Sequence, residues 1–87
     1  MQNDKLTDAI SSHVAAVLKE EREKRKISLK SLAKKSGIAR QTISYIEHEV
    51  QSPSLDTLLR ITSALGVELA KIIARAQKRA LKNPVAH

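Results

Sequence analysis

The sequence contains no cysteine, tryptophan or phenylalanine, and only one tyrosine, two glycines and two prolines in 87 residues. Each scarcity excludes something. Without cysteine there is no disulfide framework, thiol nucleophile or Cys-based zinc site, and a reducing, cytoplasmic setting is the simpler expectation. Aromatics make up 1% of the chain against 41% hydrophobic residues, so the interior has to be built from Leu, Ile, Val and Ala. No apolar stretch approaches the ~20 residues needed to cross a bilayer. The opening MQNDKLTDAI also lacks the basic-then-apolar grammar of a secretory signal. Acid is scarce relative to base, at 9 Asp+Glu against 16 Lys+Arg, which leaves a formal charge of +7 and a pI near 10.1. A chain this short is expected to form one compact domain over residues 1–87. Its excess of positive charge points to a polyanion, with nucleic acid ahead of anionic membrane and acidic protein.

The excess is unevenly placed. Residues 29–46 hold Lys30, Lys34, Lys35 and Arg40 with no acid, whereas residues 47–70 set Glu47, Glu49, Asp56 and Glu68 against Arg60. From residue 71 onward come Lys71, Arg75, Lys78, Arg79 and Lys82. A charge run is usually just a solvated helix face, so the residues interleaved with it must decide its meaning.

The apolar pattern has helical period throughout and predicts an all-α fold of five helices. Ile10, Val14, Val17 and Leu18 recur on one face of a first helix from about Thr7 to Lys24. Ser28 is placed to cap a short second helix carrying Leu29, Leu32 and Ala33, which Gly37 ends. A third helix is expected from about Arg40 to His48, burying Ile43 and Ile46. Pro53-Ser54 resets the chain for a fourth helix over Leu55–Leu65, with Ser54 as cap, Asp56 in the first turn, and Leu55, Leu58, Leu59 and Ile61 inward. After Gly66 a fifth helix runs from about Glu68 to Leu81, stopped by Asn83-Pro84. With Ile43 and Ile46 anchoring the third helix, Arg40, Gln41, Ser44, Tyr45 and His48 fall on its exposed side, a polar face free of acid.

Several features stand in a fixed order: Ala33 where two helices must approach closely, Gly37 in the turn, Ile38 and Ile43 inward, Ile46-Glu47 closing the third helix, then Pro53-Ser54-Leu55 and Ala64-Leu65-Gly66-Val67. With this pattern, the stretch from about Leu18 to Leu69 resembles the helix-turn-helix domain of the phage repressor and Cro (XRE-type) family. The resemblance implies a repressor-like domain whose second and third helices form the helix-turn-helix, with the third helix in the major groove of double-stranded DNA. Arg40, Gln41, Ser44 and Tyr45 are then the candidate base readers. Arginine suits guanine O6 and N7, glutamine suits adenine N6 and N7, and the tyrosine ring can touch a thymine methyl. Ser28, Lys30, Lys34, Thr42, Gln51 and Ser52 are the candidate phosphate contacts, with helix-start N–H groups beside them. The family commonly joins the positions of Arg22 and Glu47 in a partly buried ion pair, which is structural. Three residues depart from the pattern: Leu29 replaces a polar phosphate contact, Ala39 replaces a Ser/Thr cap, and Glu49 stands where a glycine often ends the third helix.

Both ends extend beyond what DNA reading requires. The stripe Leu69, Ile72, Ile73, Ala76 and Ala80 on the fifth helix is expected both to pack on the N-terminal helix, which bears Leu6, Ile10 and Val14, and to form a two-fold homodimer interface through Leu69, Ile72, Ile73 and Ala76. A protein partner binding the basic C-terminal helix is the alternative use of that surface. A membrane role is not expected, because the apolar face of that helix carries no Trp or Phe. His13, His48 and His87 have no ligand or triad spacing to Asp or Glu, and no Gly-rich phosphate loop is present, so neither an enzyme, a metal site nor a cofactor is expected. The functional expectation is a sequence-specific DNA-binding transcriptional regulator, most simply a dimeric repressor. The alternatives are an antitoxin-like protein that neutralises a partner and autoregulates through the same module, and a restriction-modification controller.

Overall fold

The computed structural model describes residues 4–82. They form five helices: α1 (Asp4–Lys24), α2 (Leu29–Ser36), α3 (Arg40–Glu47), α4 (Leu55–Leu65) and α5 (Leu69–Lys82). Asn83-Pro84, expected to stop α5, lie outside the described residues. The helix starts are set by side chains. Ser28 Oγ accepts the Ser31 N–H and Ser54 Oγ accepts the Thr57 N–H, each satisfying a backbone donor that the first turn leaves free. Gly37 and Gly66 take left-handed conformations, φ 76° and φ 80°, at the ends of α2 and α4, where a side chain would be strained.

The boundaries differ from expectation by a few residues. α1 begins at Asp4 rather than Thr7. α3 stops at Glu47, and His48 becomes its C-cap. Glu68 stands just outside α5, its carbonyl accepting the N–H groups of Lys71 and Ile72.

The core draws on every helix: Val14, Val17 and Leu18 of α1, Leu32 of α2, Ile43 and Ile46 of α3, Ile61 and Leu65 of α4, and Ile72 and Ala76 of α5. The most extensive helix pairing is α1 with α5, while α2 packs on both α3 and α4. Two expectations need correction here. Leu55 and Leu59, expected inward on α4, are 65% and 50% exposed. Helical rotation of ~100° per residue carries Leu59 off the face that Leu58 shares with Ile61 and Leu65. Thr62 takes an inward place instead, buried with its hydroxyl donating to the Leu58 carbonyl at 2.9 Å. The second correction concerns α5: Ile72 and Ala76, candidates for a dimer interface, are 1% and 0% exposed within the single chain because α1 covers them. Leu69 and Ile73 are only partly buried at the edge of the same packing.

Candidate nucleic-acid interface

The geometry of α3 follows from what lies beneath it. Ile43 and Ile46 are buried in the core, which turns Arg40, Gln41 and Tyr45 to the exposed side, with Ser44 half-buried between them. Tyr45, the sole aromatic, is 39% exposed rather than a core anchor. Its hydroxyl oxygen accepts a hydrogen bond from Gln41 Nε2 at 2.7 Å. One turn further, His48 Nδ1 lies 2.8 Å from the Ser44 carbonyl oxygen. A carbonyl only accepts, so Nδ1 is the donor in this contact.

α3 is held against α1 by a two-pronged ion pair. Arg22 Nε donates to Glu47 Oε2 at 2.7 Å and Arg22 Nη2 donates to Glu47 Oε1 at 3.0 Å. The third guanidinium nitrogen, Nη1, donates to the Ile27 carbonyl at 2.9 Å, which ties in the loop leading to α2. The side chains retain only 12% (Arg22) and 3% (Glu47) of their exposure. The hydrogen bonds to Glu47 raise the Arg22 pKa further above its already high ordinary value. The two residues thus sit where the resemblance placed them, and one guanidinium fixes the angle of α3 and the entry to α2 together.

The candidate phosphate contacts are distributed around this helix. Lys30 and Lys34 project from α2 and are exposed, as are Ser28 at its start and Gln51 and Ser52 in the loop after α3, while Thr42 is half-buried. The Ser28 oxygen is occupied as a cap acceptor, which leaves its hydroxyl hydrogen free to donate. Ala39 makes no side-chain cap at the start of α3, and Glu49 is held in the left-handed region at φ 61°. Glycine would relieve that conformation.

The basic C-terminal block divides in two. Arg75 Nη1 donates to Glu21 Oε2 at 2.6 Å, and Arg79 donates to both oxygens of Glu20 at 2.9 and 2.6 Å. Glu21 is itself buried and also accepts from Arg25 Nε at 3.1 Å. The Arg75 hydrogen bond above all holds the Glu21 carboxyl below the usual range, and Arg79 does the same for Glu20. Two of the five tail cations are therefore engaged with α1, whereas Lys71, Lys78 and Lys82 remain exposed. Sequence reasoning did not identify this cluster, because its partners lie 54 and 59 positions apart.

A groove of about 500 Å³ runs between α1, the loop after α3, and α5, lined by the carboxyls of Asp8 and Glu49 and the hydroxyls of Ser11 and Ser52, with no imidazole among its lining residues. No group of three or more potential metal ligands comes together among the described residues. No helix among the described residues is long and apolar enough to cross a membrane.

Comparison with known proteins agrees with this geometry. A family model described as "Helix-turn-helix" matches residues 18–72, from the last third of α1 to the first turn of α5. An HTH-type transcriptional regulatory protein of Methanosarcina barkeri is 42% identical over 57 residues, which are 66% of this chain and 17% of that protein. The immunity repressor protein of Bacillus phage phi105 is 35% identical over 52 residues, 60% of this chain and 36% of the repressor. The chain thus corresponds to less than half the length of these relatives. Among solved structures, a single-residue variant of the restriction-modification controller protein C.Esp1396I superposes with a TM-score of 0.78 at 28% identity, covering 85% of this chain and 96% of the controller. With both its fold and its matched segment centred on α2 and α3, the chain belongs to the helix-turn-helix family of the phage repressor and Cro (XRE) type.

Proposed function

We propose that the protein is a sequence-specific double-stranded-DNA-binding transcriptional regulator, a dimeric repressor that reads an inverted repeat with α3 in the major groove. The observation that carries this reading is the outer face of α3. It presents Arg40, Gln41, Ser44 and Tyr45 with no acid among them, on a helix fixed from below by two isoleucines and the Arg22–Glu47 pair. Lys30 and Lys34 on α2 supply positive charge beside it, so that phosphate contacts set the register while base contacts specify. The roles separate experimentally in a panel of duplexes. Arg40→Ala should relax preference at one position per half-site, whereas Lys34→Ala should weaken all duplexes alike and reduce the log-log salt slope by about 0.9. If both variants weaken every duplex equally, the assignment of Arg40 to base reading is wrong.

One helix-turn-helix contacts few base pairs, and pairing two of them places the recognition helices about 34 Å apart. With Ile72 and Ala76 buried inside the chain, Leu55 and Leu59, one turn apart on α4, form an exposed apolar pair suited to a two-fold contact. The exposed Arg60–Asp56 pair at 2.8 Å flanks them and offers both charges to a second copy. A dimer by sedimentation that Leu59→Lys converts to a folded monomer supports this arrangement. A wild-type monomer binding a single half-site contradicts it.

A narrower second reading, control of restriction-modification genes, is favoured by the likeness to C.Esp1396I over nearly all of that controller. Neutralisation of a protein partner through α5 has less to use, since α1 covers Ile72, Ala76 and Ala80.

A further inference from the structure

The contact between Gln41 and Tyr45 adds something that the two residues taken singly do not. Both side chains are exposed on α3, four positions apart, and the amide nitrogen donates to the phenolic oxygen at 2.7 Å. The hydroxyl oxygen therefore acts as acceptor and its own hydrogen points elsewhere. The Gln41 carbonyl, Oε1, takes no part in this contact, and the amide keeps a second N–H to donate.

We propose that Tyr45 is a positioning residue that holds the Gln41 amide in this orientation on DNA, so that Gln41 selects adenine and rejects guanine. The proposal rests on the reading of α3 as the helix that enters the major groove. A tyrosine hydroxyl can donate as well as accept, so in isolation it would tolerate either face of the amide. DNA removes that freedom. Phosphate oxygens are acceptors only, so a hydroxyl that reaches one spends its hydrogen there. Its oxygen is then left to accept, and only the amide nitrogen can satisfy it. This is the orientation already present in the free protein.

The consequence falls on the base. In the major groove adenine presents the N7 acceptor beside the N6 amine, and a glutamine showing one N–H and one carbonyl matches both. Guanine presents N7 and O6, two acceptors, so the held carbonyl would face O6 with no proton between them. An untethered glutamine escapes by turning its amide over and offering N–H groups instead. Tethered through Tyr45 to the backbone, it cannot turn without breaking the bond to the hydroxyl. Selectivity then comes from excluding the wrong base as well as from pairing with the right one. Chains of hydrogen bonds strengthen one another, so a phosphate–Tyr45–Gln41–base relay is firmer than its separate links.

The experiment uses the full chain and a set of duplexes built from the site that the wild type itself selects, each with one base pair replaced. Competition binding at fixed salt is measured for wild type, Tyr45→Phe, Gln41→Ala and the double variant, with thermal midpoints as a check on folding. The wild type should prefer adenine to guanine at one position per half-site by roughly tenfold or more. Gln41→Ala should abolish that preference. Tyr45→Phe, which keeps the ring, should cut the adenine-to-guanine ratio by about fivefold while leaving preferences at other positions and the midpoint unchanged. The double variant should match Gln41→Ala, because the tyrosine acts through the glutamine. If Tyr45→Phe weakens every duplex alike and leaves the ratio intact, Tyr45 is a backbone contact and the proposal fails while the DNA-reading function stands. If Gln41→Ala alters no base preference, the proposal also fails. Equal wild-type affinity for all duplexes overturns the functional reading itself along with the proposal.

Discussion

Replacing Arg22 with alanine should unfold the recognition surface without touching DNA chemistry. The substitution removes both hydrogen bonds to Glu47, at 2.7 and 3.0 Å, and the one to the Ile27 carbonyl, at 2.9 Å. What remains is a carboxylate only 3% exposed, with no cation to offset its desolvation. Breaking one side of a buried pair costs roughly 3–5 kcal/mol. A domain of this size has only about 4–13 kcal/mol in total at the usual stability per residue. At roughly 4 °C or more per kcal/mol for a small domain, the thermal midpoint should fall by at least about 12 °C. Far-ultraviolet circular dichroism on heating measures the midpoint, and duplex binding well below it separates folding from contact. Pairing Arg22→Met with Glu47→Leu should recover most of the loss, because an apolar pair of similar volume often does as well as a buried ion pair. If Arg22→Ala melts within about 2 °C of wild type while DNA binding is lost, the arginine acts at the DNA and the structural assignment is refuted.

Three further outcomes follow from the same structure. Glu49→Gly should raise stability by about 0.5–1 kcal/mol in urea unfolding, since relief of the left-handed strain at φ 61° exceeds the extra chain entropy of glycine. It should also tighten DNA binding at low salt by removing an acid beside Gln51 and Ser52, the loop proposed to contact phosphate; a lower urea midpoint contradicts the strain argument. Ala39→Ser should stabilise by about 1 kcal/mol by supplying the missing cap of α3, and no gain would mean that the α3 start is already satisfied by solvent. Glu20 and Glu21 have carboxyl pKa values lowered in the fold by hydrogen bonds from Arg79 and Arg75, so their contribution is complete above the ordinary value of 4.5 and lost as pH falls through the lower folded-state values. The midpoint should accordingly hold from neutral pH to about 5 and drop below 4.5, and Arg75→Gln should lower the neutral plateau and flatten that acid limb. An unchanged limb in Arg75→Gln contradicts the assignment to the α1–α5 cluster.

What could be read directly from the residues was local. Ser28, Ser54, Gly37 and Gly66 each act on their own helix end, and each does what its position implied. Leu55 and Leu59 were misplaced because α4 is apolar around more than half its circumference, so hydrophobicity alone does not fix its rotation. The α5 stripe could equally have covered α1 or a second copy, and only the three-dimensional packing assigned Ile72 and Ala76 to the chain's own core. The pairing of Arg75 and Arg79 with Glu21 and Glu20 was invisible for the same reason, since nothing in spacing connects residues brought together by the turns between them. At the candidate interface the exposed side of α3 followed from Ile43 and Ile46. The bond from Gln41 to Tyr45 did not, although their separation of four positions placed them one turn apart.

The central claim is that this chain reads DNA sequence, and selection of bound duplexes from a random library, followed by salt titration of the winners, tests it most directly. The account predicts an inverted repeat with half-sites about one helical turn apart, and affinity that falls with salt at a log-log slope of about −0.9 per neutralised phosphate. Recovery of no common sequence, with equal affinity for selected and unselected duplexes, would contradict it.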